Sequence, residues 1–308
     1  MENNIKKWIL DYGVIAHRRF YRNEKIRFIQ HIEHDFHEMK YKTSILAPKG
    51  SKGKAIDLLI GDVKNAKNII IAAYDTPVKS FGLYKYKPFD LRKRYLQYMI
   101  TVLIPLLIIT LTCFILSSIF LKIEWLKGIF RIEDLLAMTL YLIGIILIVR
   151  YAKGIPNSRN LNRNSSGVVA LLSIASKLND KERASTAFVL TDFGCINHLG
   201  DQMLKAYLQD YQKQHFIILD CVGTTDTPAL CYTKSFQNSI KKLDSKFKRC
   251  PVNDTNYNIA QLYPNTLVVS CVEETYNSLI CKNVNTKNDT DVDFDNITYI
   301  AEQIIKLL

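Results

Sequence analysis

The stretch that decides the fold is Asn68-Ile69-Ile70-Ile71-Ala72-Ala73-Tyr74-Asp75-Thr76-Pro77. It is an apolar run without any charge, and it stops at an acidic turn that contains a proline. A continuous apolar run, as opposed to an alternating one, indicates a strand that is buried on both faces. Such strands belong to α/β domains, in which helices cover both sides of the sheet. We therefore expect an α/β fold.

Strand and helix patterns alternate along the rest of the chain. Three short apolar runs predict further buried strands, at residues 187–190, 216–219 and 266–271. A polar stretch at 201–214 predicts a helix, and residues 297–308 repeat apolar side chains at helical spacing. Strands that alternate with helices predict a largely parallel sheet.

Two other regions also predict helices. Ser165 and Ser166 precede the apolar stretch 168–175, so we expect a serine to cap the start of a buried helix. Residues 5–40 predict one or two helices rich in basic and aromatic side chains. Their excess of positive charge is typical of a helix lying on a membrane surface, and the alternative is a solvated outer helix of the domain.

Five short segments carry a resemblance to a known family. They are IIIAAYDTP at 69–77, NRNSSGV at 162–168, FVLTDFGC at 188–195, FIILD at 216–220 and VNDTNY at 252–257. Their order and spacing resemble the strand-end motifs of the zinc-dependent aminopeptidases and carboxypeptidases (peptidase family M twenty-eight), which read AHYDS, NDNASG, FVFFDGEE, LDM and SDH. The resemblance covers roughly residues 45–95 and 155–308. It implies a three-layer sandwich with a mixed, mostly parallel sheet.

The resemblance also implies a two-zinc site, and the residues at its positions are unusual. In such a site one carboxylate bridges two cations about 3.5–4 Å apart, and a bound water becomes the nucleophile. Zinc accepts histidine nitrogen, thiolate or carboxylate oxygen. The first histidine of the family falls on Ala73 and the bridging aspartate on Arg163, which carries a permanent positive charge. The general-base glutamate falls on Gly194.

The remaining positions keep only part of the ligand set. The second glutamate falls on Cys195, and the last histidine falls near Thr255, beside Asp254. Asp220 keeps a carboxylate at a ligand position, and Asp75 keeps the carboxylate that would orient the first histidine. One carboxylate cannot hold a metal pair, so we predict no metal, no other cofactor and no catalytic residues here. Bound zinc is the alternative.

Arg163 suggests what replaces the metal. Its guanidinium could form an internal ion pair with Asp75 or Asp220, which would put a fixed positive charge in the former metal position. The alternative is that both aspartates serve only as polar strand ends or loop caps.

Two other groups of residues suggest chemistry and also have ordinary explanations. His198 follows Cys195 by three residues, which makes a thiolate–imidazole pair conceivable, but cysteine also serves as a small buried hydrophobe. His31, His34 and His37 suggest a metal site, but a spacing of three drifts around a helix.

A transmembrane hairpin interrupts the peptidase-like region. Residues 95–121 contain no charged side chain, and about 20 residues suffice to cross a bilayer. Residues 135–149 form a second, shorter apolar run; Arg150 can snorkel there, and Trp125 and Tyr151 suit the interfaces. A buried core helix is the alternative for the second run. A single span would place two parts of one sheet on opposite sides of the membrane, so a hairpin is predicted.

Charge predicts the orientation of this hairpin. The larger clusters of lysine and arginine flank it on the domain side, whereas the loop between the spans has fewer, diluted by acidic residues. The positive-inside rule therefore places both termini and the peptidase-like domain in the cytoplasm. Residues 1–10 are polar and basic and lack the apolar centre of a signal peptide.

Composition agrees with this placement. The 308 residues carry a formal net charge of +12, which suits a protein lying against anionic lipid. The seven cysteines show no CxxC spacing, which fits a reducing compartment. No nucleic-acid motif accompanies the charge, so we do not predict nucleic-acid binding. The predicted organisation is a basic helical segment (1–44), the first part of the peptidase-like domain (45–94), the hairpin (95–150) and the second part of the domain (151–308).

These observations predict a multi-pass protein of the cell membrane with two spans and a catalytically inactive, peptidase-like domain. Its partners would be the lipid bilayer and a peptide or protein, for which it would act as a binding or scaffold subunit. The alternative is an active membrane-bound metallo-aminopeptidase with an altered metal site.

Overall fold

A computed structural model describes residues 2–48, 55–80, 85–120, 132–208, 211–252, 259–276 and 278–308. The chain divides into two compact units, which are Met1–Tyr95 with Pro156–Leu308, and Leu96–Ile155. We call them the sheet unit and the hairpin unit.

The described strands of the sheet unit form one mixed sheet. They are β1 (Thr43–Leu46), β2 (Asp57–Ile60), β3 (Asn68–Ala73), β4 (Thr186–Thr191), β5 (His215–Leu219), β6 (Thr227–Tyr232), β7 (Lys248–Pro251), β8 (Thr266–Thr275) and β9 (Ser278–Ile280). The order is β1-β2-β4-β3-β5-β8-β6-β7, and β9 pairs with β8. The centre, β4-β3-β5-β8, is parallel, while β2 and β6 join it antiparallel. The predicted α/β class with a mixed, mostly parallel sheet is confirmed.

Helices lie on both faces of this sheet. The α-helices of the sheet unit are α1 (Glu2–Trp8), α2 (Arg22–Glu38), α5 (Ser166–Lys177), α6 (Asp180–Ser185), α7 (Leu199–Leu208) and α8 (Phe294–Ile305). Two further helices, α3 (Leu91–Phe120) and α4 (Ile132–Tyr151), are described below with the hairpin unit. Alternate residues of β3 enter two hydrophobic cores: Ile70 packs with α2, α5 and α8, and Ile69 packs with α7. The apolar run of β3 is therefore buried on both faces, and the layers form a three-layer sandwich.

The N-terminal region belongs to the domain. Phe28, Ile29 and Ile32 of α2 are fully buried in the same core as α5. A π-helical turn, Ile9–Ile15, separates α1 from α2. The apolar face of α2 thus packs on the sheet unit, which supports the outer-helix alternative over a helix lying free on a membrane surface.

Ser165 lies at the N-cap position of α5, but the capping hydrogen bond expected from the sequence is not formed. Ser165 has helical backbone angles and its side chain makes no capping hydrogen bond, because a π-helical turn, Leu161–Ser165, runs directly into α5. The Ser166 hydroxyl instead donates to the Asn162 carbonyl at 2.6 Å and accepts from the Val222 amide at 3.1 Å. Ser166 therefore ties the start of the helix to the loop after β5.

The hairpin unit contains α4 and most of α3. The structure has two helices long and apolar enough to cross a membrane, Leu96–Ser118 with mean hydropathy 2.7 and Asp134–Tyr151 with mean hydropathy 1.8. A side chain at Gly144 would collide with the Cys113 Sγ atom, at 2.4 Å from its Cβ. Small residues of this kind let membrane helices approach closely. Of the predicted outer loop at 122–133, residues 122–131 with Trp125 lie outside the described residues, whereas Ile132 and Glu133 belong to α4.

Candidate functional site

The predicted site residues lie at one edge of the sheet. Ala73 ends β3 and pairs with Thr191 at the end of β4, while Ala72 pairs with Leu219 at the end of β5. The carboxyl ends of adjacent parallel strands meet there, so the residues that follow each strand come together. The chain places an aspartate after each strand, namely Asp75, Asp192 and Asp220.

Arg163 and Asp220 form a buried ion pair at this edge. The Arg163 Nη1 atom donates to the Asp220 Oδ1 atom, and the two side chains are only 3% and 6% exposed. The hydroxyl of Tyr86 donates to the other carboxylate oxygen at 2.8 Å, and the guanidinium carbon lies 4.5 Å from the Tyr86 ring centroid. Burial opposes the charge of Arg163, but Asp220 and other neighbouring groups together outweigh burial and raise the pKa of Arg163 above its usual value. The ion pair expected from the sequence is present.

Asp75 faces Cys195 and not Arg163 directly. The Cys195 amide donates to both Asp75 carboxylate oxygens at 3.3 Å, and the Asn164 side chain donates to the Asp75 carbonyl and, at 3.2 Å, to the Cys195 sulfur. Burial raises the pKa of Asp75 to about 6, whereas the charge of Lys25 lowers it. Asp75 therefore fixes the loop after β4.

The thiol of Cys195 is poorly suited to nucleophilic chemistry. Burial raises the pKa of Cys195 to about 12, so the side chain is a thiol at neutral pH. His198, its proposed partner, bonds through Nδ1 to Asp201 at 2.9 Å. The described contacts thus give Cys195 and His198 separate partners and do not support a thiolate–imidazole pair.

Ala73 and Gly194 leave no room for larger side chains. A Cβ atom added to Gly194 would lie 2.4 Å from the Ala73 Cβ atom, closer than real Cβ atoms approach. The cavity between these residues, Arg163 and Asp220 has a volume of about 20 Å³. Such a volume holds about one water molecule.

Two buried cations that the sequence did not reveal complete the edge. Lys25 of α2 pairs with Asp192 through its ammonium group, which also lies 3.9 Å from the ring centroid of Phe193. Arg19 is fully buried and donates to the Tyr12 carbonyl and the Ser165 hydroxyl, at 2.9 and 3.0 Å. These residues come from the N-terminal region, far from the motifs, and no spacing signal could have found them.

Among the described positions, the three histidines are not brought together as ligands. Thr255 and Asp254 lie outside the described residues. His31 contacts the Tyr12 ring, and His37 bonds to the Thr43 hydroxyl at 2.8 Å. Within the described ranges, the group with three closely spaced potential ligands is His34, Asp35 and Glu38 instead of the three histidines.

Comparison with solved structures reveals what this architecture is similar to. The glutaminyl cyclase of Tannerella forsythia matches with a TM-score of 0.57 and 15% identity, covering 100% of this chain and 97% of that one. A Zn-dependent exopeptidase from Parabacteroides distasonis matches with a TM-score of 0.57 and 12% identity, with coverages of 100% and 97%. The chain has the zinc-exopeptidase fold. The LapA aminopeptidase of Legionella pneumophila also matches, with a TM-score of 0.55, 10% identity and coverages of 100% and 70%.

Sequence comparisons add no closer relative. No protein-family model matches the chain, and no curated protein matches it either. At identities of 10–15% the likeness to solved structures shows the fold alone. Function must therefore be argued from the residues of this chain.

Proposed function

We propose that this chain is a membrane-anchored protein of the zinc-exopeptidase fold that carries out no zinc-dependent catalysis and instead binds a peptide or protein partner. The observation that carries the proposal is the Arg163–Asp220 ion pair. Arg163 occupies the position that matches the bridging carboxylate of the family motif, and it neutralises the single ligand-type carboxylate that the motif retains. An internal cation thus stands in for the metal.

The residues at this edge do not fit a zinc pair. Ala73 offers no donor atom, and Gly194 has no space for a glutamate without displacing Ala73. Cys195 would have to lose a proton against a pKa raised to about 12, and Arg163 repels cations. A cavity of about 20 Å³ also leaves no volume for two cations and a substrate.

Membrane anchoring is supported by the two apolar helices. The side chains of Leu107, Phe114 and Ile146 are between 60% and 70% exposed, which is unfavourable in water and favourable against lipid tails. Charge asymmetry supports a cytoplasmic sheet unit.

Metal analysis combined with an activity assay tests the proposal. The full-length protein, purified in detergent, should contain less than stoichiometric zinc and should not hydrolyse aminoacyl reporter substrates when zinc, cobalt or manganese is added. The Parabacteroides distasonis exopeptidase, treated identically, serves as the positive control. Stoichiometric zinc, or chelator-sensitive turnover that disappears in Asp220→Ala, would overturn the proposal and favour an active metallo-aminopeptidase.

A further inference from the structure

A second cavity of the sheet unit, much larger than the first, has no role in the site described above. Its volume is about 750 Å³, within the range of small-ligand sites. Thr224, Thr225 and Asp226 after β5 form one wall, and residues 288–295, which lead into the first turn of α8, form another. We call it the acidic cavity.

The charge of the acidic cavity contrasts with that of the chain. Five aspartates line it, whereas the basic residues at its walls are Lys6 and Lys282; the aspartates are Asp226, Asp289, Asp291, Asp293 and Asp295. Lys282 is paired with Glu273 at 3.1 Å and approaches Asp226 at 3.8 Å. The whole chain carries a formal net charge of +12, so the excess of acidic side chains in this cavity is a local feature that the overall composition does not explain.

Part of this acidity has a structural reason. The Asp293 side chain accepts the Asn296 amide at 2.9 Å and thus caps α8, and Asp295 lies in the first turn of that helix. Carboxylates at a helix N-terminus stabilise it. Asp289 and Asp291 lie before α8, so capping of that helix does not account for them; the Asp289 Oδ1 atom instead accepts the Asn162 amide in the turn that leads into α5.

Two buried polar side chains in the wall of the cavity each have one atom without a hydrogen-bond partner among the described residues. Asp289 and Asn162 are each 2% exposed. Asp289 Oδ1 accepts the Asn162 amide at 2.9 Å. The backbone amides of Arg163 and Asn285 also stabilise the ionised form of Asp289 and so lower its pKa. The Oδ2 atom forms no hydrogen bond with any group of the described residues. Asn162 Oδ1 accepts the Gly223 amide at 2.9 Å, while Asn162 Nδ2 likewise has none.

These two groups define the chemistry of a ligand. Leaving buried polar atoms unpaired is unfavourable, and a ligand that pairs them removes that cost. In its ionised form, which a bound cation would favour, Asp289 accepts a hydrogen bond at Oδ2, and Asn162 Nδ2 donates one to a neighbouring oxygen. An ammonium group next to a carbonyl group matches both.

A metal ion matches less well. It would leave the Asn162 donor unpaired, and no group of three closely spaced ligand atoms occurs in the acidic cavity among the described residues. We therefore propose that the acidic cavity binds the amino-terminal end of a peptide, with the ammonium group at Asp289 and Asp291 and the first carbonyl at Asn162. This inference rests on the proposed function only in taking the ligand to be a peptide. It places peptide binding in the acidic cavity and not at the edge of the sheet that Arg163 and Asp220 occupy.

Calorimetric titration of the full-length protein in detergent tests this proposal. The probes are tripeptide amides that begin with alanine, leucine, phenylalanine, lysine or glutamate, each with a free and an acetylated amino terminus. We expect at least one free peptide to bind, and acetylation to weaken binding at least about tenfold through loss of the charge-assisted hydrogen bond. Asp291→Asn should weaken it by a similar factor, whereas Asp180→Asn, an exposed aspartate on α6, should not.

Asp291 is exposed, so Asp291→Asn is expected to fold, as circular dichroism will check. Binding that is insensitive to acetylation, absent for all five peptides, or unchanged in Asp291→Asn would overturn the proposal. So would displacement of the peptide by calcium at low concentration, which would identify a cation site. None of these results depends on zinc content or hydrolysis, so failure here is distinguishable from failure of the proposed function.

Discussion

Replacing Arg163 with alanine should destabilise the sheet unit strongly. The Arg163 side chain is 3% exposed, and its removal leaves the Asp220 carboxylate in the interior without its counter-charge. Breaking a buried pair by removing one partner typically costs about 3–5 kcal/mol. Tyr86 still donates to Asp220 at 2.8 Å, which partly compensates, so we expect the lower end, about 3 kcal/mol.

The assay is thermal and urea unfolding of the full-length protein in detergent. A loss of about 3 kcal/mol corresponds to a decrease in Tm of roughly 6–12 °C for a domain of this size. Arg159→Ala is the matched control, because Arg159 is an exposed arginine in the same segment. The double variant Arg163→Ala with Asp220→Asn should be more stable than Arg163→Ala alone, since it also removes the unpaired charge.

Two results would refute this reasoning. An Arg163→Ala protein as stable as Arg159→Ala would mean that the guanidinium does not compensate a buried carboxylate. Additive effects of Arg163→Ala and Asp220→Asn would mean that the two side chains do not interact energetically.

Three further predictions follow from charge and burial. A cysteine introduced at Ser158 should resist a membrane-impermeant maleimide in intact cells and react after lysis; labelling from outside would contradict the cytoplasmic orientation. Burial raises the pKa of Asp289 from 3.8 to about 7, so the folded state retains this proton where the unfolded state loses it. The unfolding free energy should therefore fall between about pH 4 and pH 7, and Asp289→Asn should reduce that slope in urea titrations at several pH values. Because the pKa of Cys195 is raised to about 12, peptide mapping should show iodoacetamide alkylation at pH 8 at least about 100-fold slower in native than in unfolded protein; equal rates would contradict the buried thiol.

The centre of the sheet could be predicted from the sequence, and its edges could not. Asn68–Ala73 is apolar throughout because both of its faces are buried, and such a run is easily recognised. β8 was predicted to end at residue 271 but continues to Thr275, where it pairs with Ser278–Ile280. That extension carries Glu273 and Glu274, which are not apolar, so only the pairing partner reveals the strand. The four-residue strands β1 and β2 were not predicted for a related reason: such short segments become strands because of the neighbours with which they pair.

The site shows the same division between motif residues and distant partners. The ion pair of Arg163 with Asp220 was expected because both residues fall on motif positions. Lys25 and Arg19 were not, because their positions at the edge depend on how α2 and the preceding loop pack. Asp289 and Asn162 became significant only when their hydrogen bonds could be assigned atom by atom.

The position of β3 in the sheet has a consequence for biosynthesis. Both of its hydrogen-bonded neighbours, β4 and β5, are translated after the apolar helices of the hairpin unit. Until β4 and β5 have been synthesised, the isoleucines of β3 have no strand to pair with on either edge. Long-range pairing of this kind is slow, and exposed apolar strands aggregate. Nascent chains that stall before Thr186 should therefore depend on chaperones or be degraded.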